Sequence, residues 1–326
     1  MVAKPWHLLA DIGGTNARFA LGDVGSGEIH IPLTVSVLDH PTFMSALQMY
    51  LSFVEDSGDW EKRPVDGCLA VACPTDREHV TFTNSDWVID RENLGFSLEI
   101  PRLKIINDFE AIGYAAASFA VNDWEQIGGG ESRPDKALTV LGPGTGLGVC
   151  GVLPTTTGVN VLPGEGGHVD FAPVGKEETE IMRLLLSRYS RVSAERLLSG
   201  TGLQNIYWAL TQLHGEPQRH ATPADISASA LVGDDPVAVE ALAVFCRVLG
   251  SVAGNLALTF GSLGGVYVAG GIAPRILEFL RGSDFRERFL AKGRFREYLE
   301  DIPTRIVVRN DPGLFGALKF LQSRHS

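Results

Sequence analysis

The chain has 326 residues, room for about two domains at roughly 150 residues each. Lys and Arg number 28 against 39 Asp and Glu, a net charge of −11; 44% of residues are hydrophobic and 21% charged. That composition excludes a disordered chain, and the acidic balance argues against a nucleic-acid binder working through a broad basic surface.

The N-terminus reads as strand, tight turn, strand over residues 6–10, 11–16 and 17–21. A third strand fits 29–37. A helix follows from about Thr42, with Phe43, Leu47, Tyr50, Leu51 and Val54 at helical spacing. Residues 67–72 form a short apolar strand ended by Pro74. Another strand at 103–106 runs into Asn107-Asp108 and a helix at 109–118. The opening pattern then recurs: strand 138–141, turn 142–148, strand 149–153, with Gly144-Thr145 in the place of Gly14-Thr15. The repeat points to two related halves facing one cleft, with a boundary near residue 118. The second half is helix-rich. An amphipathic helix fits 178–189, and another carries Leu203, Ile206, Tyr207, Leu210 and Leu213. Asp235-Pro236 supplies an N-cap and a first-turn Pro for a long apolar helix to about Phe260. A buried strand at 265–269 stops at Gly270-Gly271. A last strand at 305–308 precedes a helix capped by Asp311-Pro312.

Four Cys, at 68, 73, 150 and 246, form no CxxC pair, and no Cys/His cluster has zinc-ligand spacing; reduced thiols in a cytoplasm are expected. No signal peptide is expected, because the apolar start ends at Asp11. Residues 248–274 carry no charge, but their seven Gly, with Asn255, Thr259 and Ser262, favour a buried helix, a turn and a strand over a membrane span.

The chemistry concentrates in four places. Gly permits positive φ and lets backbone N–H groups approach an anion, and Thr adds a hydroxyl, so the two glycine turns suit phosphates. Each alone is equally a plain hairpin turn; the pair favours phosphate binding. There is no GxxxxGK[ST] loop, and the GxGxxG match at 146–151 is followed by a strand where that fingerprint needs a helix. Asp108, at a strand end, is either a general base toward a hydroxyl or the N-cap of the helix behind it. Glu165 and His168, in a Gly-rich segment, suit the vicinal hydroxyls of a sugar or form a polar surface loop. Two such ligands make no metal site. Glu195 follows a Ser193 N-cap, where its plain role is to complement a helix dipole. Gly270-Gly271 leaves room for adenine or ends a strand.

Together these segments resemble the bacterial glucokinase family of the non-ROK type, over nearly the whole chain. The resemblance rests on Asp11-Ile-Gly-Gly-Thr-Asn-Ala-Arg18, Asn107-Asp108-Phe109 and Gly142-Pro-Gly-Thr-Gly-Leu-Gly-Val149. It rests also on Leu162-Pro-Gly-Glu-Gly-Gly-His-Val-Asp-Phe-Ala-Pro173 and Ser193-Ala-Glu-Arg-Leu-Leu-Ser-Gly200. It implies an α/β, two-domain ribonuclease H-like fold of the actin and hexokinase type, with a cleft between the domains. Residues 1–118 plus 311–326 would form a small α/β domain and 119–310 a larger α+β domain. The implied activity is transfer of the γ-phosphoryl of ATP to the 6-hydroxyl of D-glucose, the first step of glycolysis. Kinases for mannose or an N-acetylated sugar are the alternatives, and a non-sugar actin-like ATPase a more distant one. In the implied roles Asp108 is the general base, and Asn107, Glu165, His168 and Glu195 join it in binding the sugar. Gly13, Gly14, Thr15, Asn16, Gly144 and Thr145 meet phosphates, Gly270 and Gly271 face adenosine, and Asp11 lies near Mg²⁺ through water. A cytoplasmic homodimer is expected, with no structural zinc, nucleic acid or membrane.

Overall fold

The computed structural model describes residues 4–73, 75, 79–82, 86–90, 93–95, 98–100 and 102–325; the expected strand-ending Pro74 lies outside them. The chain divides into two compact units. One comprises Met1–Phe119, Thr157–Pro163 and Arg309–Ser326, the other Ala120–Thr156 and Gly164–Val308.

In the first unit β1 (His7–Ile12), β2 (Asn16–Asp23), β3 (Glu28–Ser36), β4 (Asp66–Val71) and β7 (Leu103–Asn107) form one sheet in the order β3-β2-β1-β4-β7. A separate hairpin pairs β5 (His79–Thr81) with β6 (Val88–Asp90). The β1–β2 pair is antiparallel, whereas β4 runs parallel to both β1 and β7. Every residue of β4 is buried, as expected of a central strand covered on both faces. The two-residue period sorts β1 cleanly. Leu8, Ala10 and Ile12 pack with Phe43, Leu47, Tyr50 and Val54 of helix α1 (Phe43–Ser57). Leu9 packs on the other side with Leu314, Leu318 and Leu321 of the C-terminal helix (Pro312–His325). Helix α1 starts where its residues demand. Thr42 accepts from Ser45 N–H, the Ser45 side chain completes a capping box, and Gly58 ends the helix with φ +73°.

The second unit repeats the strand plan. Strands β9 (Leu138–Pro143) and β10 (Leu147–Thr155) form an antiparallel hairpin, and β12 (Gly265–Val268) and β13 (Thr304–Val307) extend it in parallel. The run β10-β9-β12-β13 thus matches β2-β1-β4-β7, and the edge strand β8 (Trp124–Gly128) is added antiparallel to β13. Strand β11 (Gly158–Gly164) follows β10. The helices are α2 (Asp108–Ala116) in the first unit and α3 (Gly175–Leu185), α4 (Gly200–His214), α5 (Pro223–Val232) and α6 (Pro236–Phe260) in the second, with short helices between 277 and 300. The amphipathic segment stops being helical at Leu185, four residues before Tyr189, whose hydroxyl instead donates to Asn205. Helix α6 is long and apolar enough to cross a membrane by length and composition, yet 72% of its most apolar window is buried inside the protein. Asp235 caps it, accepting from Val237 N–H at 3.0 Å and from the Tyr207 hydroxyl at 2.7 Å. The uncharged stretch after it breaks at Gly261, φ +63°, and resumes as β12.

Candidate active site

In the first unit the parallel strands bring their carboxyl ends to one level. Ile12 is the register partner of Val71, and Val71 of Asn107. With strands about 4.8 Å apart, the turn after β1 and the start of α2 stand about 10 Å from each other on the same sheet edge. Open α/β sheets place ligands at such edges. Both hairpin strands reach further into the turn than expected, so that it consists only of Gly13, Gly14 and Thr15. Gly13 N–H donates to Asn16 O at 3.0 Å and closes it, and Thr15 and Asn16 are exposed.

Asp11, half-buried at the end of β1, accepts from Arg18 Nη1 at 3.2 Å. Burial raises its carboxyl above the ordinary carboxylate range, and the Arg18 guanidinium opposes that shift. Its carboxylate lies against Gly313 in the first turn of the C-terminal helix, where a Cβ would come within 2.5 Å of Asp11 Cγ. No local signal marks Gly313 in the sequence, since its requirement comes from a residue at the other end of the chain.

Asp108 is not the cap of its helix. Asn107 holds that position, and its Oδ1 accepts from Phe109 N–H at 2.9 Å and Glu110 N–H at 3.3 Å. The helix covers Asp108–Ala116, which puts Asp108 in the first turn, its Oδ1 accepting from Phe109 N–H at 2.9 Å. With Oδ1 of Asn107 committed to the cap, its amide NH₂ is the end able to donate outward. Burial pushes the neighbouring Cys73 thiol up to about 11, and the negative charge of Asp108 adds to that shift.

In the second unit the turn between β9 and β10 consists of Gly144, Thr145 and Gly146, again shorter than expected. Gly144 N–H donates to Gly146 O at 2.8 Å, and Gly200 N–H, at the start of α4, donates to Gly144 O at 2.9 Å. None of Gly13, Gly14 and Gly144 has a left-handed backbone, so positive φ is not why Gly stands there. At Gly144 an added Cβ would meet nothing within 4 Å.

Glu195 reaches this turn. Its Oε2 accepts from Leu147 N–H at 2.9 Å, and a Cβ at Gly146 would come within 2.6 Å of the same oxygen. The expected helix around it is a three-residue 3₁₀ turn, Ala194–Arg196, and Ser193 makes no side-chain cap bond. A turn so short has little dipole to complement, so the carboxylate is held by Leu147 instead. His168 lies between two carboxylates, with Nδ1 3.9 Å from Glu195 Oε1 and Nε2 3.9 Å from Glu165 Oε2. The 3₁₀ turn Gly166–His168 presses onto the start of β10 so closely that a Cβ at Gly167 would reach 2.0 Å from Leu147 O. Gly270 lies against the end of β9. Its φ is +81° and a Cβ would come within 2.4 Å of Pro143 O, whereas Gly271 faces open space. Glu165, His168 and Glu195 therefore form one cluster beside Gly144 and Thr145, with Gly270 at the end of β9. The contributions of Leu147 N–H, Gly146 and Gly200 escape sequence reasoning, because each depends on a partner distant in the chain.

The glucokinase family model matches residues 8–324. The chain belongs to the glucokinase family. It is 44% identical over 316 residues to the glucokinase of Cronobacter sakazakii, covering 96% of this chain and 95% of the relative. It is 43% identical over the same length to that of Escherichia coli K12, with the same coverage. Among solved structures it is similar to a glucokinase from an Antarctic psychrotroph, with a TM-score of 0.85 and 36% identity over 98% of this chain and 99% of that one. The glucose complex of Balamuthia mandrillaris glucokinase shares the fold, with a TM-score of 0.77 at 24% identity over 98% and 94% of the chains. The fold is thus the two-domain, actin-like α/β fold of these sugar kinases, of the non-ROK type.

Proposed function

We propose that this chain is a glucokinase, transferring the γ-phosphoryl of ATP to the 6-hydroxyl of D-glucose and releasing ADP. The observation that carries the reading is the Glu165, His168 and Glu195 cluster beside the Gly144-Thr145 turn, since a nucleotide site alone would need no such group. A sugar offers adjacent hydroxyls that each donate and accept. Two carboxylates flanking an imidazole can take several of them at once.

In this reading Asp108 accepts the proton of the sugar 6-hydroxyl as that oxygen attacks phosphorus. The transition state is loose and the proton leaves late, so a weak carboxylate base suffices. Asn107, oriented by its cap bonds, donates its amide to the sugar. Gly14, Thr15, Asn16 and Thr145 hold phosphates through backbone N–H groups and side-chain donors, while Gly13 and Gly144, whose own N–H groups close the turns, let the phosphates approach with no side chain in the way; neither turn contains Lys. Gly270 and Gly271 leave the adenosine room. Asp11 fits Mg²⁺ as a single hard oxygen donor to an ion that keeps several waters. Mg²⁺, when bound, neutralises charge on the phosphates. The reading includes a cytoplasmic location, supported by four cysteines buried as thiols, and a homodimer, testable by sedimentation equilibrium.

The deciding experiment measures initial rates of sugar-phosphate formation on glucose, mannose and N-acetylglucosamine, with ATP and with polyphosphate as donors. The highest kcat/KM is expected for glucose with ATP and Mg²⁺, and loss of activity in excess EDTA. ATP hydrolysis indifferent to sugar, or a faster rate on another hexose, would overturn the assignment.

A further inference from the structure

The amino ends of β1 and β4, opposite the strand ends that carry Asp11 and the 13–15 turn, hold a cluster that phosphoryl transfer does not use. His7 opens β1, Asp66 opens β4, and the two are register partners in the parallel pair. His325 ends the C-terminal helix. Nδ1 of His7 lies 3.1 Å from Gly22 O. A carbonyl only accepts, so that nitrogen carries the proton, and Nε2 of the neutral ring presents a lone pair. That lone pair faces Oδ1 of Asp66 at 3.6 Å. The other carboxylate oxygen, Oδ2, is 2.8 Å from Nε2 of His325. Asp66 is only 2% exposed, and its Oδ1 has no hydrogen-bond partner among the described residues. Two acceptors facing each other in a buried place call for a cation between them.

We propose that His7, Asp66 and His325 bind one zinc ion. Each offers a ligand atom, and the three atoms lie within 4.8 Å of one another. Tetrahedral zinc, with bonds of about 2.0–2.2 Å, sets its ligand atoms about 3.3–3.6 Å apart. The 3.6 Å from His7 Nε2 to Asp66 Oδ1 matches that edge, while the 2.8 Å from His325 Nε2 to the other oxygen, Oδ2, is shorter and must open by about 0.5 Å to admit the ion. Two imidazole nitrogens and one carboxylate oxygen, with water as the fourth ligand, suit zinc, while Mg²⁺ and Ca²⁺ take oxygen donors. The Nδ1–H bond to a backbone carbonyl is the outer contact that orients a metal-binding imidazole. The ion sits at the C-terminal end of a helix, where the unsatisfied carbonyls favour positive charge. It ties the last turn of that helix to the starts of two core strands, which is a structural role. The ligands stand far apart in the sequence, 259 residues between Asp66 and His325, so no motif announces them.

The test uses the untagged full chain, stripped of metal and titrated with Zn²⁺ against a chromogenic chelator, with stoichiometry from equilibrium dialysis. One zinc per chain is expected, together with a Tm that rises on zinc addition. Zinc affinity should fall at least about 100-fold in His325→Gln and in His7→Gln, more than loss of an outer-shell partner costs. His214→Gln, at an exposed His paired with Glu240 elsewhere, should leave it unchanged. Turnover of His325→Gln with Mg²⁺ and ATP should match the parent. His325 lies at the exposed end of its helix, so its variant decides the matter even if His7→Gln folds poorly. Absence of stoichiometric zinc, which would leave a proton as the bridging cation, overturns the proposal. So does an affinity that His325→Gln does not change.

Discussion

Replacing Asp108 by Asn should separate turnover from folding. The helix behind it is capped by Asn107, whose two bonds to Phe109 and Glu110 N–H survive the change. An amide oxygen at position 108 can still accept from Phe109 N–H, as Oδ1 now does at 2.9 Å. What the folded state loses is a carboxylate at a helix N-terminus, about 0.3–1 kcal/mol. Loss of a general base costs on the order of 10²–10⁴ in rate, or about 2.7–5.4 kcal/mol at about 1.36 kcal/mol per tenfold. The barrier should therefore rise several times more than stability falls. Steady-state rates in an ADP-coupled assay give kcat and KM for glucose, and urea unfolding gives stability. A kcat at least 100-fold lower is expected, with KM little changed and stability within about 1 kcal/mol of the parent. A kcat within about tenfold of the parent would refute Asp108 as the base. Marked destabilisation would refute the assignment of the cap to Asn107.

Asn107→Ala should show the complementary pattern, losing about 1 kcal/mol of stability with the cap, while Asn107→Asp keeps the cap and most of that stability; urea midpoints distinguish them. Gly270→Ala forces a Cβ against Pro143 O at a left-handed backbone position and should cost about 1–3 kcal/mol, measured the same way, with KM for ATP raised. Asp11 predicts a pH effect. Its folded carboxyl titrates above its unfolded value, so the folded state keeps the proton longer, and stability falls as pH rises through that window and stays lower above it. In metal-free buffer Asp11→Asn should therefore match or exceed the parent in Tm at pH 7, with the difference shrinking below about pH 4. A parent more stable than the variant at pH 7 would contradict this.

The sequence by itself determined the local features. Short apolar runs bounded by turn residues placed β1 and β4, and Asp235-Pro236 placed the start of the long core helix. The recurring Gly-Thr pair revealed two hairpins whose sheets share one strand plan. These are legible because strand period, capping and turn chemistry act over a few residues. Tertiary structure decided what depends on distant partners. It gave the cap of the Asp108 helix to Asn107 and left Asp108 in the first turn. It replaced a supposed helix at Glu195 with a short turn whose carboxylate holds Leu147 N–H, 48 residues away. Of the two reasons the sequence offers for glycines at 13, 14 and 144, the structure removes positive φ, which none of them adopts. The His7, Asp66 and His325 cluster was wholly illegible. Only strand pairing and the packing of the last helix bring one end of the chain to the other, and no local interaction encodes that meeting.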